Sequence, residues 1–298
     1  MSVLRFVDEG CLEVMQAGGK GASLARMASL DLPVPPGFVV PADALAASLG
    51  ERAQELSSLT ADDATRAQQI VAETEMPNEL SEAIVTAYDE LGDDESVAVR
   101  SSACAEDSEE ASFAGQQETY LHVRGAEAVI ERVRDCWGSF FSERALFYRA
   151  QKGSLEDLGM AVVVQRMVNA DVAGVLFTVD PVRKRKDRMV VEAVFGLGEA
   201  CVSGQITPDN YQLARDGTVK RQRLSVQPLV IESGPDGGTV ERELDAAEGG
   251  EATLEEEQLR ELARLGEDLQ GRLERPQDIE WAFEDGKLYV LQARPVTA

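Results

Sequence analysis

The C-terminal stretch, residues 277–298, constrains the fold of this chain more than any other segment. Residues 277–283 and 287–295 alternate between apolar and polar side chains, and the dipeptide Asp285-Gly286 lies between them. Alternation with a period of two is typical of β-strands, and Asp-Gly is a preferred dipeptide of tight hairpin turns. We therefore predict that this stretch forms a β-hairpin.

Whether the polar side chains of this hairpin share one face of the sheet depends on its turn. The four side chains concerned are Asp278, Glu280, Gln292 and Arg294. A strict two-residue turn at Asp285-Gly286 would place the two acids on one face and the other pair on the opposite face. A three-residue loop, residues 284–286 with Gly286 in the left-handed conformation, would pair Phe283 with Lys287 and bring all four to one face. We expect the three-residue loop.

These four side chains have a chemistry that suits a divalent cation and a polyphosphate. Carboxylate and amide oxygens are ligands that Mg²⁺ accepts, and an arginine binds phosphate through its N–H groups. A solvated hairpin face closed by a salt bridge would have the same composition. The hairpin by itself leaves both interpretations open.

The charge of the chain excludes several classes of partner. Its 298 residues carry a formal net charge of −25, and its isoelectric point is near 4.4. Such an acidic chain is not expected to bind nucleic acid or an anionic membrane surface as its main partner. The length suits two domains or one large two-lobed domain.

The cysteines and the histidine predict neither a disulfide framework nor a zinc site. The four cysteines (Cys11, Cys104, Cys136 and Cys201) are far apart and form no Cys-x-x-Cys motif. We expect free thiols in a reducing cytoplasm, and we see no signal peptide and no membrane-spanning apolar run. The single histidine, His122, is expected to pack at the edge of a strand, because no partners of a catalytic triad are visible nearby.

Two segments in the first third of the chain place basic residues where a phosphate could lie. Gly18-Gly19-Lys20-Gly21 precedes a run of helix-forming residues, which predicts a loop that feeds a helix N-terminus with Lys20 at its mouth. The spacing is not that of a P-loop, and a plain helix-entry turn remains the alternative. Arg100 ends a buried-type strand, where it could serve as a structural ion-pair partner or as a ligand contact.

Two further segments offer polar groups to a nucleotide. Residues 103–119 are small and polar without an apolar period, which predicts an ordered loop of the kind that covers active sites. Gly115 and Thr119 could offer donors to phosphates from this loop. Gln165 lies in the apolar strand 160–168, where its amide could read an adenine edge or could cap the strand.

The remaining segments are predicted to form helices and a loop around the segments described above. We predict helices within 42–92, one helix over 126–150 with an apolar core stripe, an exposed loop over 232–252, and an amphipathic helix over 253–274 that covers the sheet.

Six segments together resemble a known family. They occur in the order 18–24, 99–102, 111–117, 173–178, 196–199 and 291–295. Each is a weak motif alone, but their order along nearly the whole chain is similar to that in the nucleotide-binding domain of phosphoenolpyruvate synthase, pyruvate phosphate dikinase and rifampin phosphotransferase.

The resemblance implies a fold and a set of residue roles. The implied fold is ATP-grasp, a mixed α/β (α+β) architecture in which two lobes, here residues 1–168 and 169–298, clamp ATP between β-sheets. By this resemblance, Lys20 and Arg100 hold the phosphates, and Arg294 neutralises the transferring group. Gly115 and Thr119 belong to the phosphate-covering loop, and Gln165 lies at the adenine on the hinge between lobes. Glu280 and Gln292 hold Mg²⁺, with Asp278 as a possible third ligand.

The chain departs from the family pattern in two respects. Glu106-Asp107 is followed by Ser108, where the family often has proline, so the covering loop is expected to be looser and more anionic. The full-length enzymes also carry a swivelling domain with a catalytic histidine and a second active site. We expect neither in this chain, because His122 lies outside any such motif and residues 294–298 match the end of the family's nucleotide domain.

The main functional hypothesis is an ATP-dependent phosphotransferase component of the dikinase type. It would transfer a phosphoryl or pyrophosphoryl group from Mg-ATP to a histidine on a separate carrier domain or subunit, as in phosphoenolpyruvate synthase, which converts pyruvate and ATP to phosphoenolpyruvate, AMP and phosphate. The alternatives are the ATP-binding part of a rifampin-type antibiotic phosphotransferase, a non-catalytic nucleotide-binding regulatory module, and a direct ligase or small-molecule kinase. The sequence does not identify the final acceptor.

Overall fold

The computed structural model describes residues 2–57, 59, 61–104, 118–143, 145–146, 159–183, 185–234 and 237–296. These residues form two compact units, as judged by where the chain contacts itself. Unit 1 comprises Met1–Asp31 and Pro36–Met167, and unit 2 comprises Leu32–Pro35 and Val168–Ala298. No helix in the described ranges is both long enough and apolar enough to cross a membrane.

Unit 1 is built on an antiparallel sheet of five strands in the order β1-β2-β5-β3-β4. The strands are β1 (Leu4–Arg5), β2 (Gly37–Val40), β3 (Val97–Ala103), β4 (Thr119–Val123) and β5 (Met160–Arg166). Its helices are α1 (Val14–Ser29), α2 (Ala44–Leu49), α3 (Arg52–Ser57), α4 (Ala64–Glu73), α5 (Asn78–Asp89) and α6 (Ala126–Ser139).

The two faces of this sheet differ in what covers them. Alternate valines of β3 and β5, such as Val99 and Val164, are fully buried in one apolar core with side chains of α2–α6. Helix α1 contacts the opposite face through β2, β3 and β5. The helix predicted over 126–150 ends at Ser139, and its stripe residues Val129, Val133 and Trp137 are buried as predicted.

Unit 2 is built on an antiparallel sheet of six strands in the order β13-β12-β6-β7-β8-β9. The strands are β6 (Val172–Phe177), β7 (Arg188–Phe195), β8 (Asp209–Ala214), β9 (Val219–Arg223), β12 (Gln277–Glu284) and β13 (Lys287–Pro295). A short helix, α7 (Glu199–Val202), follows β7, and a long helix, α8 (Glu256–Leu273), precedes β12.

Helix α8 covers one face of the six-stranded sheet, as predicted from its apolar stripe. Gly266 lies so close to Leu176 of β6 and Met189 of β7 that an added Cβ would be 3.1–3.2 Å from their side chains. We call the opposite face the polar face. It carries Val175, Glu192, Asn210, Glu280 and Gln292, whose side chains are half-buried, whereas the α8 side holds fully buried residues.

The prediction of an exposed loop over 232–252 is wrong in its first half. Strands β10 (Leu229–Ser233) and β11 (Thr239–Glu243) pair as a two-stranded sheet within unit 2. All five residues of β11 are exposed, so the strand lacks the apolar alternation that identifies a half-buried strand in a sequence.

Unit 2 also contains a short segment from early in the chain. Leu32–Pro35 belongs to unit 2, and the backbone N–H of Val290 in β13 donates to the carbonyl of Pro33 at 2.9 Å. The C-terminal hairpin is thereby joined to a segment near the start of the chain.

Candidate functional site

The turn of the C-terminal hairpin differs from the predicted one. Glu284 pairs with Lys287, so Asp285 and Gly286 form a two-residue turn rather than a three-residue loop. Both turn residues have positive φ, 50° at Asp285 and 72° at Gly286, as a type I′ turn requires. The positive φ of Gly286 is confirmed, and the three-residue loop is wrong.

A β-bulge nevertheless brings the four polar side chains to one face. The register shifts between Glu280 and Trp281, since Trp281 pairs with Val290 and Glu280 with Gln292. Leu291 is the extra residue that this shift inserts into β13. One extra residue reverses the alternation of side chains beyond it, so it undoes the separation that a two-residue turn would impose. The expected common face is confirmed, although a different element produces it.

The four side chains form two directly opposed pairs. Asp278 lies opposite Arg294, and the Nε of Arg294 donates to Oδ2 of Asp278 at 2.9 Å. The side chain of Asp278 is 12% exposed and that of Arg294 is 56% exposed, so the carboxylate is shielded while the guanidinium reaches solvent. The arginine is thus held in place on the hairpin and remains accessible to an anion.

The second pair, Glu280 and Gln292, offers oxygens to a cation. Residues directly opposite each other in an antiparallel pair have Cβ atoms about 5 Å apart, so a carboxylate oxygen and an amide oxygen can reach one ion from this pair. Among the described residues, no group of three or more His, Cys, Asp or Glu side chains is arranged to hold a metal. Two such ligands suit a cation that keeps waters and takes further ligands from a bound phosphate, as Mg²⁺ does.

The sheet register adds two polar residues that the sequence analysis did not identify. Glu280 pairs with Val175, Val175 with Glu192, and Glu192 with Asn210, so these residues form one row across the polar face. The Nδ2 of Asn210 donates to the carboxylate of Glu192 at 3.2 Å. Only the pairing of β6, β7 and β8 reveals this row, because no local motif links residues 192, 210 and 280.

Cys201 lies within electrostatic range of two of these carboxylates. Burial, together with the negative charges of Glu192 and Glu280, raises the pKa of the Cys201 thiol to about 11. The thiol therefore stays protonated at neutral pH and is a poor nucleophile.

In unit 1, two helical segments meet at a kink at Gly18, so the predicted helix N-terminus before Lys20 is present, although no loop leads into it. Helix α1 begins at Val14, and Gly18 alone interrupts it with φ 68° and ψ 174°. A Cβ at Gly18 would lie 2.2 Å from the carbonyl oxygen of Ser102, so this close approach of α1 to β3 requires glycine. The Ser102 hydroxyl donates to the carbonyl of Ala17 at 2.9 Å and accepts from the N–H of Gly21 at 3.2 Å.

Lys20 follows this kink on α1, the helix that covers one face of the sheet, and is buried. Ser102 lies two residues beyond Arg100 on β3, so both point to this face. Arg100 pairs with Thr119 on β4 and with Val163 on β5, and Gln165 lies two residues beyond Val163. Lys20, Arg100, Thr119 and Gln165 therefore belong to one side of the sheet of unit 1.

These four residues differ in exposure. Lys20 is 9% exposed and Gln165 is 3% exposed, whereas Thr119 is exposed and Arg100 is half-buried. The other member of the predicted set, Gly115, and most of the predicted covering loop lie in 105–117, outside the described residues.

His122 has a structural place in this unit. It lies on the edge strand β4, as predicted, within a bulge opposite Ala98, and its φ is 53°. Its Nδ1 is 3.3 Å from the Ser96 hydroxyl, and the residue is 4% exposed. Burial, and to a lesser extent the positive charge of Arg124, lowers the pKa of His122 below its ordinary 6.5. The imidazole is therefore neutral at physiological pH.

Comparison with known proteins identifies the family. A family model described as "Pyruvate phosphate dikinase, AMP/ATP-binding domain" matches residues 14–298. The chain belongs to this family. Its mixed α/β architecture is accordingly of the ATP-grasp type. The predicted family, the predicted fold class and the predicted nucleotide, ATP, are confirmed at the level of the family.

Members of this family among curated proteins are considerably longer than the chain. The chain is 41% identical to a "Probable phosphoenolpyruvate synthase" of Methanocaldococcus jannaschii, over 100% of the chain and 27% of the relative. It is 43% identical to another protein of that name from Archaeoglobus fulgidus, over 100% of the chain and 42% of the relative. A rifampicin phosphotransferase of Bacillus subtilis is 34% identical, over 94% of the chain and 34% of the relative. The chain thus spans less than half the length of these relatives.

Proposed function

We propose that this AMP/ATP-binding domain binds Mg-ATP and transfers a phosphoryl or pyrophosphoryl group to a histidine on a carrier domain that lies outside residues 1–298. The overall reaction would be that of a phosphoenolpyruvate synthase, in which pyruvate, ATP and water give phosphoenolpyruvate, AMP and phosphate. The observation that carries the proposal is the hairpin face, where Glu280 opposes Gln292 and Asp278 opposes Arg294.

The hairpin supplies the groups that phosphoryl transfer demands. This reaction needs little covalent chemistry from the protein, but it needs positioning and positive charge around the β- and γ-phosphates. Glu280 and Gln292 would hold Mg²⁺, and Asp278 would supply a third oxygen ligand. Mg²⁺, when bound, neutralises charge on the phosphates. Arg294, oriented by Asp278 at 2.9 Å, would contact the transferring group.

The residues on the α1 side of the unit 1 sheet would bind the same nucleotide. Lys20, fixed by the Gly18 kink, and Arg100 would neutralise phosphate oxygens. Thr119, directly opposite Arg100, would donate its hydroxyl to a phosphate, with Gly115 supplying a backbone N–H. The buried amide of Gln165 would read the adenine edge, because a buried amide discriminates by its hydrogen bonds.

The site test is a Glu280→Ala variant of the full chain. Removing one ligand oxygen should lower Mg²⁺-dependent transfer by about a hundredfold or more, while ATP binding without Mg²⁺ changes little. Glu243→Ala on β11, an exposed acid outside the hairpin, is the matched control and should transfer at the normal rate. Normal transfer by the Glu280 variant would remove the metal role from the hairpin.

The reaction type is tested with labelled nucleotide. The chain is incubated with Mg²⁺ and with γ- or β-labelled ATP, with and without the histidine-bearing domain of a phosphoenolpyruvate synthase. Label on the carrier histidine with release of AMP is the expected result. ATP binding without transfer would instead indicate a nucleotide-binding regulatory module, and a labelled product without the carrier would indicate a direct kinase or ligase.

An antibiotic phosphotransferase is the second candidate for the whole protein. The 34% identity with a rifampicin phosphotransferase supports it, and the ATP half of the reaction would be the same. Offering pyruvate and rifampicin to the carrier-supplemented system separates the two candidates by which one is phosphorylated.

The reaction would take place in a reducing compartment, which we propose is the cytoplasm. All four cysteines are free in the structure, as predicted, and none is paired in a disulfide.

A further inference from the structure

Unit 2 contains a polar cavity away from the hairpin. It has a volume of about 310 Å³, within the range of small-molecule sites. Its lining residues come from strands β7, β8 and β9 and from two adjacent loops: Arg183, Glu192, Thr207, Pro208, Asn210, Gln212, Arg221 and Arg223. None of them belongs to the C-terminal hairpin.

The strand register places this cavity at the opposite edge of the polar face. Gln212 pairs with Arg221 and Asn210 with Arg223, across β8 and the edge strand β9. Strands β6 and β7 separate these residues from β12, and three strand spacings amount to about 14 Å. Arg221 and Arg223 therefore lie on the strand farthest from a cation held by Glu280 and Gln292, although Glu192, which also lines the cavity, is only two strands from β12.

The cavity concentrates positive charge in a strongly acidic chain. Arg183, Arg221 and Arg223 line it, although the chain has 54 acidic and only 29 basic residues. Within the part of the chain that the structure describes, no carboxylate lies within ion-pair distance of any of the three. The Arg183 guanidinium donates instead to the Gln212 amide at 3.2 Å.

Other arginines of unit 2 are paired with acids. They form ion pairs with carboxylates at 2.7–3.1 Å: Arg185 with Asp187, Arg215 with Glu267, Arg242 with Glu232, Arg260 with Glu256, and Arg272 with Asp268. With acids in such excess, three neighbouring arginines without a described carboxylate within ion-pair distance mark a surface that favours an external anion.

The cavity also has an acceptor at its other end. The carboxylate of Glu192 is engaged by the Asn210 amide at 3.2 Å, on the β7 side of the cavity. An anionic group is therefore favoured at the β9 side, near Arg221, and a hydroxyl of the same ligand would find an acceptor at Glu192.

We propose that this cavity is a second anion site, which binds a phosphate group at Arg183, Arg221 and Arg223 independently of the Mg-ATP site. Arginine is the side chain best suited to this, since its planar guanidinium matches the oxygens of a phosphate. The phosphate is either free orthophosphate or the phosphate group of a small organic ester. The inference goes beyond the proposed transfer reaction and does not depend on it.

The test measures binding to the full chain by calorimetry, without Mg²⁺, nucleotide, sulfate or phosphate buffer. The probes are orthophosphate and ribose 5-phosphate. Saturable binding is expected, and an Arg221→Gln/Arg223→Gln double variant should bind at least about tenfold more weakly, since hydrogen bonds to charged groups are worth more than a tenfold change. Tighter binding of ribose 5-phosphate assigns the site to a phosphorylated organic molecule, and equal binding assigns it to free phosphate.

Two matched controls locate the bound anion. Lys220→Gln removes a positive charge from the same strand, but Lys220 does not line the cavity, so affinity should stay within about twofold. Glu280→Ala alters the hairpin and should leave anion binding unchanged. The proposal is overturned if no saturable binding occurs, if the double variant binds like the natural chain, or if Lys20→Gln abolishes binding, which would place the anion in unit 1.

Discussion

At Gly174, in the middle of β6, two strands approach more closely than any other residue type allows. A Cβ there would lie 1.9 Å from the carbonyl oxygen of Glu192 on β7. Substitution must push β6 and β7 apart, and this pair carries Val175 and Glu192 in the polar row. The glycine thus sets the spacing of the strands between the hairpin and the arginine-lined cavity.

We expect Gly174→Ala to destabilise the protein by about 2 kcal/mol or more, because the added methyl meets backbone that cannot move aside. Urea denaturation would measure the loss. Gly271→Ala is the control, since Gly271 is an exposed residue of α8 with open space around its Cα, and alanine there should stabilise by up to about 1 kcal/mol. Equal stabilities of the two variants would contradict the steric argument.

His122 gives the stability of the protein a specific pH dependence. Burial lowers its pKa in the folded state below 6.5, so the unfolded chain binds its proton first as the pH falls. Stability from this residue is complete above pH 6.5 and is lost as the pH falls from 6.5 towards the lowered pKa. Since the chain has one histidine, no other imidazole contributes to this window.

The prediction compares the natural chain with His122→Asn. Asparagine tolerates the positive φ of 53° at this position and does not titrate. The difference between the unfolding free energies of the two proteins should change as the pH falls below about 6.5 and be constant between about pH 7 and pH 8. A difference that stays constant across both ranges would show that His122 titrates alike in both states.

The family resemblance supplied most of the candidate site residues, and their positions required the structure. Carboxylate, amide and arginine in one hairpin were compatible with a cation and a phosphate, but equally with a solvated face closed by a salt bridge. Glu192 and Asn210 carry the same chemistry, but they enter the row only through the pairing of β6, β7 and β8. Such pairing depends on contacts between distant segments, which local sequence patterns do not encode.

At the scale of elements, the hairpin shows how one turn sequence is compatible with two registers. Asp285-Gly286 fits a two-residue turn and also the end of a three-residue loop, because both need Gly286 at positive φ. The bulge at Leu291 decides the outcome, and no turn residue marks it. The common face could be inferred from the composition of the strands, but the element that produces it could not.

Substitutions of Gly286 test the turn. Its φ is 72° and its Cα has open space around it, so any cost comes from the backbone conformation alone. Gly286→Ala should destabilise by about 1–2 kcal/mol, and Gly286→Asn by less, because asparagine enters the left-handed region more readily. Thermal unfolding would rank the three proteins. An alanine variant as stable as the natural chain would mean that the turn relaxes to another conformation.

Two exposed strands, β9 and β11, were among the elements that the sequence did not reveal. Strand β11 is exposed along its whole length, and β9 has a basic, exposed sequence at the edge of the sheet. Helix α8 was predictable because its apolar residues follow the helical period, and strand β5 because its apolar residues form a continuous run. An apolar pattern in a sequence marks residues that become buried, and these exposed strands bury few residues.

At the scale of the whole molecule, the net charge of −25 opposes folding. Exposed ion pairs contribute about 0–1 kcal/mol each, whereas the excess acids repel one another throughout the compact state. Added salt screens both the attraction within ion pairs and the repulsion between acids, and far more pairs of charges repel than attract.

The melting temperature should therefore rise as NaCl is increased from about 10 mM to about 200 mM, a range in which the Debye length falls well below the size of the molecule. Scanning calorimetry would record the change. Sucrose at matched osmolality, which screens nothing, is the control for non-electrostatic effects. A melting temperature that falls with salt would show that the ion pairs outweigh the repulsion.

The four residues Leu32–Pro35 determine how the protein can be divided into fragments. Because they belong to unit 2, the polypeptide passes between the units three times, near residues 31, 35 and 167. A protease cut near residue 31 or 35 leaves the two units covalently joined through residue 167, whereas a cut near residue 167 separates Val168–Ala298 from the rest of the polypeptide. A gene fragment that starts at residue 168 encodes β13 without the carbonyl of Pro33 that the Val290 N–H requires. A fragment of residues 1–167 contains all of unit 1, whereas unit 2 can be isolated intact only by a rewired chain that also supplies Leu32–Pro35.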